Sequence, residues 1–290
     1  MGCDLSTPRP VKVTGKRQTG GQNLGQKADN GERTLLLRDF REIIASIGSI
    51  PKPKETCPVL CLSRYSFPLT LSPLFLNVGD LTGINSSILS IARSGRGRLA
   101  ALGNSAILTY GSQDNQDASN LLENLVRWAA GPIYGSINVL IIGFPLEIAT
   151  QTKSNLSTMG IHSIISNDPK RAFDVNVIIA NSICDCFSVL NDKIVSGGGL
   201  LCVADPSGDF TINPLIAAHG LAFAETKLKP GPLNSETLKG SKEVRAISRT
   251  TLPYICHQFQ KLFTAETTPE FKVLDALVTN MRMHLTHHPI

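Results

Sequence analysis

The first six residues, Met1-Gly2-Cys3-Asp4-Leu5-Ser6, fit the pattern Met-Gly-x-x-x-Ser/Thr, in which loss of the methionine exposes a glycine amine that accepts a myristoyl chain. Cys3, next to that glycine, is a palmitoylation candidate. One myristoyl chain holds a protein on a bilayer only marginally, so firm anchoring needs a second acyl group or basic residues. Arg9, Lys12, Lys16 and Arg17 supply positive charge, each adding up to about 1 kcal/mol near anionic lipid. The chemistry expected of this segment is attachment: Gly2 and Cys3 as lipidation sites and the four basic residues against a membrane surface.

Nucleophilic chemistry has little to work with. A cysteine amidotransferase requires Gly-x-Cys-x-Gly on a tight strand-to-helix elbow and a downstream His-x-Glu, because the thiolate must be exposed and its base must reach it. Neither occurs, and no Gly-x-Ser-x-Gly elbow offers a serine in its place. Cys184-Asp185-Cys186 reads as the opening of a helix, where a thiol can become acidic; it is the one cysteine candidate, against a packing role under the sheet. The other close pair, Cys57 and Cys61, lacks Cys-x-x-Cys spacing as well. Cys61 and Cys202 read as buried strand residues. His284, His287 and His288 could place two imidazoles on one helix face but have no third fixed ligand. No metal, cofactor or catalytic residue is therefore expected. Arg93, Arg96 and Arg98 flank Gly95 and Gly97. Such a turn either cups an anion or partner group on backbone amides, or simply reverses the chain with its arginines in solvent.

Composition excludes several classes. With 290 residues, 42% hydrophobic and 18% charged, the chain has the apolar content of a globular protein. A net charge of +5 falls well short of a nucleic-acid footprint. The most apolar stretch, Val139 to Phe144, is strand length, far below the roughly 18 apolar residues of a membrane span. The start lacks the apolar core of a secretory signal, which predicts a cytoplasmic chain with reduced thiols.

These residues need elements to hold them. Residues 1–32 have no apolar periodicity and read as a disordered tail. Thr34 to Ile47 repeats apolar residues at three- and four-residue steps and predicts a helix capped by Gly48. Pro58–Leu62 predicts a buried strand, and Phe67–Thr82 a proline-containing loop. Ser87–Ala92 and Arg98–Leu102 predict a hairpin around residues 93–97. Ala118 to Ala130 places apolar residues on one face, an amphipathic helix. Strands at 137–143, 161–165, 175–180 and 200–204 are interleaved with helices at about 146–158 and 185–195. Short continuous apolar strands alternating with helices signal a parallel sheet buried on both faces. Gly197-Gly198-Gly199 punctuates a helix-to-strand turn. Residues 235–245, 252–263 and 270–285 read as helices.

From Lys52 to about Phe210 the order of features resembles the glutamine-amidotransferase-like domain of the TRP channel-associated factor family. The resemblance is carried by Cys57-Pro-Val-Leu-Cys-Leu62 with Ser66-Phe67-Pro68, the hairpin Ala92-Arg-Ser-Gly-Arg-Gly-Arg-Leu99, the helix Leu121 to Trp128 and the strand entry Ser196-Gly-Gly-Gly-Leu-Leu201. The chain departs from the family at Ser94, where an aromatic is usual, and at Gly103-Asn104, where a histidine is common. Members and their enhancin-type relatives continue into a metallopeptidase-like domain, and His-Glu-x-x-His does not occur here.

The resemblance implies an α/β fold of the flavodoxin or class I amidotransferase kind, a mostly parallel sheet flanked by helices. It would occupy residues 33–233, with a C-terminal helical extension over 234–290. It further implies a non-catalytic regulator associated with a membrane protein such as an ion channel, peripheral at the plasma membrane, with no nucleic-acid partner. The alternatives are an accessory-domain remnant of an enhancin-type metallopeptidase and a degenerate amidotransferase-like hydrolase.

Overall fold

The computed structural model describes residues 35–50 except 36, 45 and 46, residue 53, residues 55–73 except 64 and 71, and residues 85–110, 115–132, 135–224 and 233–234. The chain opens with helix α1 (residues 37–44) and five short strands, β1 (Ser49–Ile50), β2 (Val59–Cys61), β3 (Ser66–Pro68), β4 (Ser72–Pro73) and β5 (Asn85–Ser86). The hairpin β6 (Leu89–Ser94) and β7 (Gly97–Leu102) follows, then helices α2 (Ala106–Thr109) and α3 (Gln116–Ala130). Next come β8 (Asn138–Ile142), α4 (Leu146–Thr158), β9 (His162–Ile165), a 3-10 turn η1 (Pro169–Asp174), β10 (Val177–Asn181), α5 (Phe187–Val195) and β11 (Gly199–Val203). The last described elements are α6 (Asn213–Ala218), β12 (Leu221–Phe223) and β13 (Leu233–Asn234).

Seven strands form one sheet in the order β3-β6-β7-β11-β10-β8-β9. From β7 to β9 neighbouring strands run parallel, and β3, β6 and β7 pair antiparallel. The α/β class expected from the sequence is the one observed. The reason lies in the strand period of two. Val177, Ile179, Leu201 and Val203 face a core with α1, α2, α3 and α4. Ile178, Ala180, Leu200 and Cys202 face a second core with η1, α5, α6 and the β2–β12 pair. Both faces must therefore be apolar, which makes these strands read as unbroken hydrophobic runs.

Local rules set the helix ends. The side chain of Asn115 accepts from the backbone N–H of Ala118, so α3 starts two residues before the expected Ala118. At the end of α5, Gly197 has φ of 98°; its N–H donates to Ile194 O, and that of Gly198 donates to Lys193 O. This is a Schellman cap with glycine at the left-handed position, as the triple glycine predicts.

Three expectations need correction. Gly48 is not a left-handed cap, since its φ is not positive; it leads into β1, where Ser49 N–H donates to Asp117 at 2.7 Å. Phe67 does not open a loop. It is buried in edge strand β3 opposite Ile91, because its ring packs edge-on to Phe40 at 5.8 Å. The segment after Cys184 becomes helical only at Phe187. The buried strand expected at Pro58–Leu62 does form, as β2, antiparallel to β12. α6 and β12 escape sequence reading because six and three residues are too short to show a period. The tail at 1–32, the connector at Pro51 and Lys52, and the helices expected at 235–245, 252–263 and 270–285 lie outside the described residues. Among the described residues no helix is long and apolar enough to cross a membrane.

Candidate functional site

The chain leaves β8 through α4 onto one face of the sheet and leaves β10 through α5 onto the other. The carboxyl ends of these two adjacent parallel strands thus part, and such a switch point is where open α/β sheets bind their ligands. The walls here are Gly143 after β8, and Asn181 at the end of β10 with residues 182–186 that follow it. Gly143 has φ of 81°, and a Cβ on it would sit 3.4 Å from Asn181 Cβ and 3.5 Å from Cys184 Cβ. The crevice floor is therefore narrow.

Its polar groups are mutually satisfied. Asn181 Nδ2 donates to Asp205 Oδ2 at 3.1 Å, and Ser207 N–H donates to Asp205 Oδ1 at 2.9 Å. Burial acts to raise the Asp205 carboxyl, but the hydrogen bonds from Ser207 and Asn181 outweigh it and hold the group below the usual carboxylate range. Cys184 Sγ and Cys186 Sγ lie 2.8 Å apart. The hydrogen bond from Cys186 outweighs burial and brings the Cys184 thiol down to about 7, helped by the Cys186 backbone N–H, while the same contact pushes Cys186 up. Cys61 and Cys202 are buried in strands, as expected. Burial raises the Cys61 thiol to about 12 and Cys202 well above its ordinary value.

The opposite end of the sheet holds the hairpin. Arg93, Arg96 and Arg98 are not three free cations around one anion. Arg93 makes two hydrogen bonds to Asp39 of α1, at 2.5 and 2.7 Å. Arg98, directly across the ladder from Arg93, donates to the carbonyl of Trp128, and its guanidinium carbon lies 5.7 Å from the Trp128 ring centroid. Arg96 is exposed at the turn. Gly95, at φ of 58°, makes the turn, and of the three arginines Arg93 and Arg98 are held by partners rather than left in solvent.

Beside this turn is a groove of about 340 Å³ lined by Ser63, Tyr65, Ser94, Gly95, His219 and Gly220. Ser94 Oγ lies 2.7 Å from His219 Nδ1, and His219 Nε2 lies 3.1 Å from Asn191 Oδ1. The amide oxygen of Asn191 accepts from Nε2–H, leaving Nδ1 to accept the serine hydroxyl. No sequence motif announces this chain, because its members are 125 and 28 positions apart. It ties the hairpin tip to α5 and the end of α6.

Burial lowers the His219 pKa from its ordinary 6.5. A depressed folded value means that the unfolded chain binds the proton more readily. The contribution to stability is thus fully present above about pH 6.5 and lost as pH falls through the folded value. Urea midpoints at about pH 7.5 and 5.5 are expected to fall more for the native protein than for His219→Gln. Equal losses would show that the ring does not carry the effect.

No family model and no curated protein matches this sequence. Solved structures do match in fold. IMPa, a metallopeptidase from Pseudomonas aeruginosa, gives a TM-score of 0.60 at 14% identity over 90% of this chain and 32% of that one. The same metallopeptidase in complex with T-antigen gives 0.58 at 13% identity, over 89% of this chain and 32% of that one. Its complex with an O-glycopeptide gives 0.54 at 13%, over 82% and 27%. At such identities the likeness is one of fold. This chain spans about a third of the IMPa length at most.

The remaining expected sites, Gly2, Cys3, Arg9, Lys12, Lys16 and Arg17, lie outside the described residues, as do His284, His287 and His288, from which no metal site was expected. Among the described residues no cluster of three or more histidine, cysteine or acidic side chains has metal-binding geometry.

Proposed function

We propose that this chain is a non-catalytic binding and regulatory module, of the accessory kind that accompanies enhancin-type metallopeptidase-like domains. The observation that carries this reading is the separation of thiol from imidazole. Among the described residues the one acidic cysteine, Cys184, lies beyond the carboxyl end of β10, whereas His219 sits at the hairpin end of the sheet, committed to Ser94 and Asn191. The five residues of β11 put about 13 Å between those two ends of the sheet. A thiolate needs its base within hydrogen-bond reach. The IMPa likeness supports the accessory reading, because it concerns a portion of a longer peptidase chain.

The finer reading takes the module to a membrane. Acyl groups on Gly2 and Cys3, with Arg9, Lys12, Lys16 and Arg17 against anionic lipid, would hold it at the cytoplasmic surface of the plasma membrane. There it would engage a membrane protein such as an ion channel, as in the TRP channel-associated factors that its sequence resembles. Protein made in eukaryotic cells is expected to carry a myristoyl mass on Gly2 and to float with anionic vesicles. Gly2→Ala is expected to reduce the bound fraction at least about tenfold, since the remaining basic residues supply only weak attraction. An unmodified Gly2, or flotation indifferent to Gly2→Ala, would sink the tether and leave the metallopeptidase accessory reading. Hydrolase activity that disappears with Cys184→Ala would instead support the degenerate amidotransferase.

A further inference from the structure

We propose that Cys184 and Cys186 form a dithiol site at the β8–β10 crevice that exchanges with low-molecular-weight disulfides and closes reversibly to an intrachain disulfide. The proposal rests on where the backbone puts these two sulfurs, and it stands independently of the binding function above.

Residues two apart in an extended strand point the same way but stay too far apart for their sulfurs to meet. Here the chain bends twice: Cys184 N–H donates to Asn181 O at 3.0 Å, and Phe187 N–H donates to Asp185 O at 2.9 Å. The bends bring the two Sγ atoms to 2.8 Å, inside ordinary sulfur–sulfur contact and within about 0.8 Å of a bond length. The two thiols also differ in access. Cys184 is 7% exposed and lies behind Cys186, which is partly exposed. One sulfur can meet an incoming molecule while the other waits behind it, the arrangement of an attacking and a resolving thiol.

Electrostatics put the negative charge on the buried sulfur: the hydrogen bond from Cys186 S–H stabilises the Cys184 thiolate, so Cys186 becomes the attacking thiolate only by passing its proton to Cys184. The other described cysteines, Cys57, Cys61 and Cys202, are buried away from solvent. They act as internal controls in the same molecule.

The chemistry balances with oxidised glutathione as the co-reactant. Cys186 passes its proton to the Cys184 thiolate and attacks one glutathione sulfur; a protein–glutathione disulfide forms, the glutathione disulfide breaks, and glutathione thiolate leaves and is protonated by solvent. Cys184 then loses the proton it received, directly or through water, to the second glutathione sulfur as it attacks Cys186. The protein pair is oxidised by two electrons, one disulfide is reduced to two thiols, and one proton is taken from solvent overall. A ring this short is strained, and strained or exposed disulfides are the labile ones, which makes the closure reversible. Closing it removes a negative charge from the crevice and fixes the turn between β10 and α5.

The test uses the full chain, equilibrated across a series of reduced-to-oxidised glutathione ratios, quenched in acid, alkylated and read peptide by peptide in a mass spectrometer. The peptide holding Cys184 and Cys186 is expected to pass, in one transition, from two alkylated thiols to a species two hydrogens lighter than the unalkylated pair, while the peptides holding Cys61 and Cys202 are read as alkylated thiols across the whole series. Added reductant is expected to restore both thiols. In Cys184→Ala, the same series is expected to stop at a persistent glutathione adduct on Cys186. Folding of that variant is checked by the emission of Trp128, the single tryptophan. A pair that stays doubly alkylated across the series would overturn the proposal. So would a glutathione adduct that persists in the native protein without closing. Either outcome would leave the two sulfurs as a packing contact.

Discussion

Replacing Arg93 with alanine is expected to destabilise the domain by about 3–5 kcal/mol, among the largest effects open to a single substitution outside the core. Asp39 is 1% exposed and Arg93 22%. Two hydrogen bonds at 2.5 and 2.7 Å match the fork of the guanidinium to both carboxylate oxygens. Without Arg93 the Asp39 carboxylate remains in a dry place under α1, and the cost is that of an unpaired buried charge rather than of a lost surface ion pair. Arg93→Lys keeps the charge but loses the fork, and is expected to fall between. The double change Asp39→Leu with Arg93→Leu is expected to recover most of the loss, since an apolar pair of similar volume removes the uncompensated charge. Urea unfolding of the four proteins measures this. A loss below about 1 kcal/mol for Arg93→Ala would place the pair among ordinary exposed ion pairs.

Trp128→Ala is expected to cost about 3–5 kcal/mol, and Trp128→Phe under about 1.5 kcal/mol. The indole lies in the last turn of α3, 1% exposed, within the core that faces α1, α2 and α4. Truncation opens a cavity there and removes the ring beneath Arg98. The phenylalanine variant should be mild for a specific reason: Trp128 Nε1 has no hydrogen-bond partner among the described residues, so exchanging it for carbon forfeits no bond. Circular dichroism in urea is the right measurement, because both changes remove the only tryptophan fluorophore. If Trp128→Phe cost as much as Trp128→Ala, the buried N–H would have to hold a partner such as an ordered water.

Much of the architecture was legible in the residues because it is written locally. The parallel strands β8, β10 and β11 appear as apolar runs since both faces of each are buried. α3 announces itself by a face of Ala118, Leu121, Leu122, Leu125, Val126 and Ala129, and α5 by its glycine cap. β3 was hidden because Ser66-Phe67-Pro68 ends in a proline, which as a rule marks a loop. An edge strand tolerates that proline, since its outer side needs no ladder hydrogen bond.

The candidate sites divide along the same line. The lipidation pattern at Gly2 and Cys3 is a property of adjacent residues, so the sequence alone states it, together with the basic residues behind it and the reversal at Gly95. What Arg93 and Arg98 do depended on α1 and α3 arriving beside the hairpin: the partner Asp39 is 54 positions from Arg93, and Trp128 is 30 from Arg98. The tie from Ser94 through His219 to Asn191 and the crevice beside Cys184 likewise exist only once the sheet has assembled. Local sequence sets the propensity, period and caps of each element; which side chains from distant elements meet, and so which charges are already neutralised, is settled by packing.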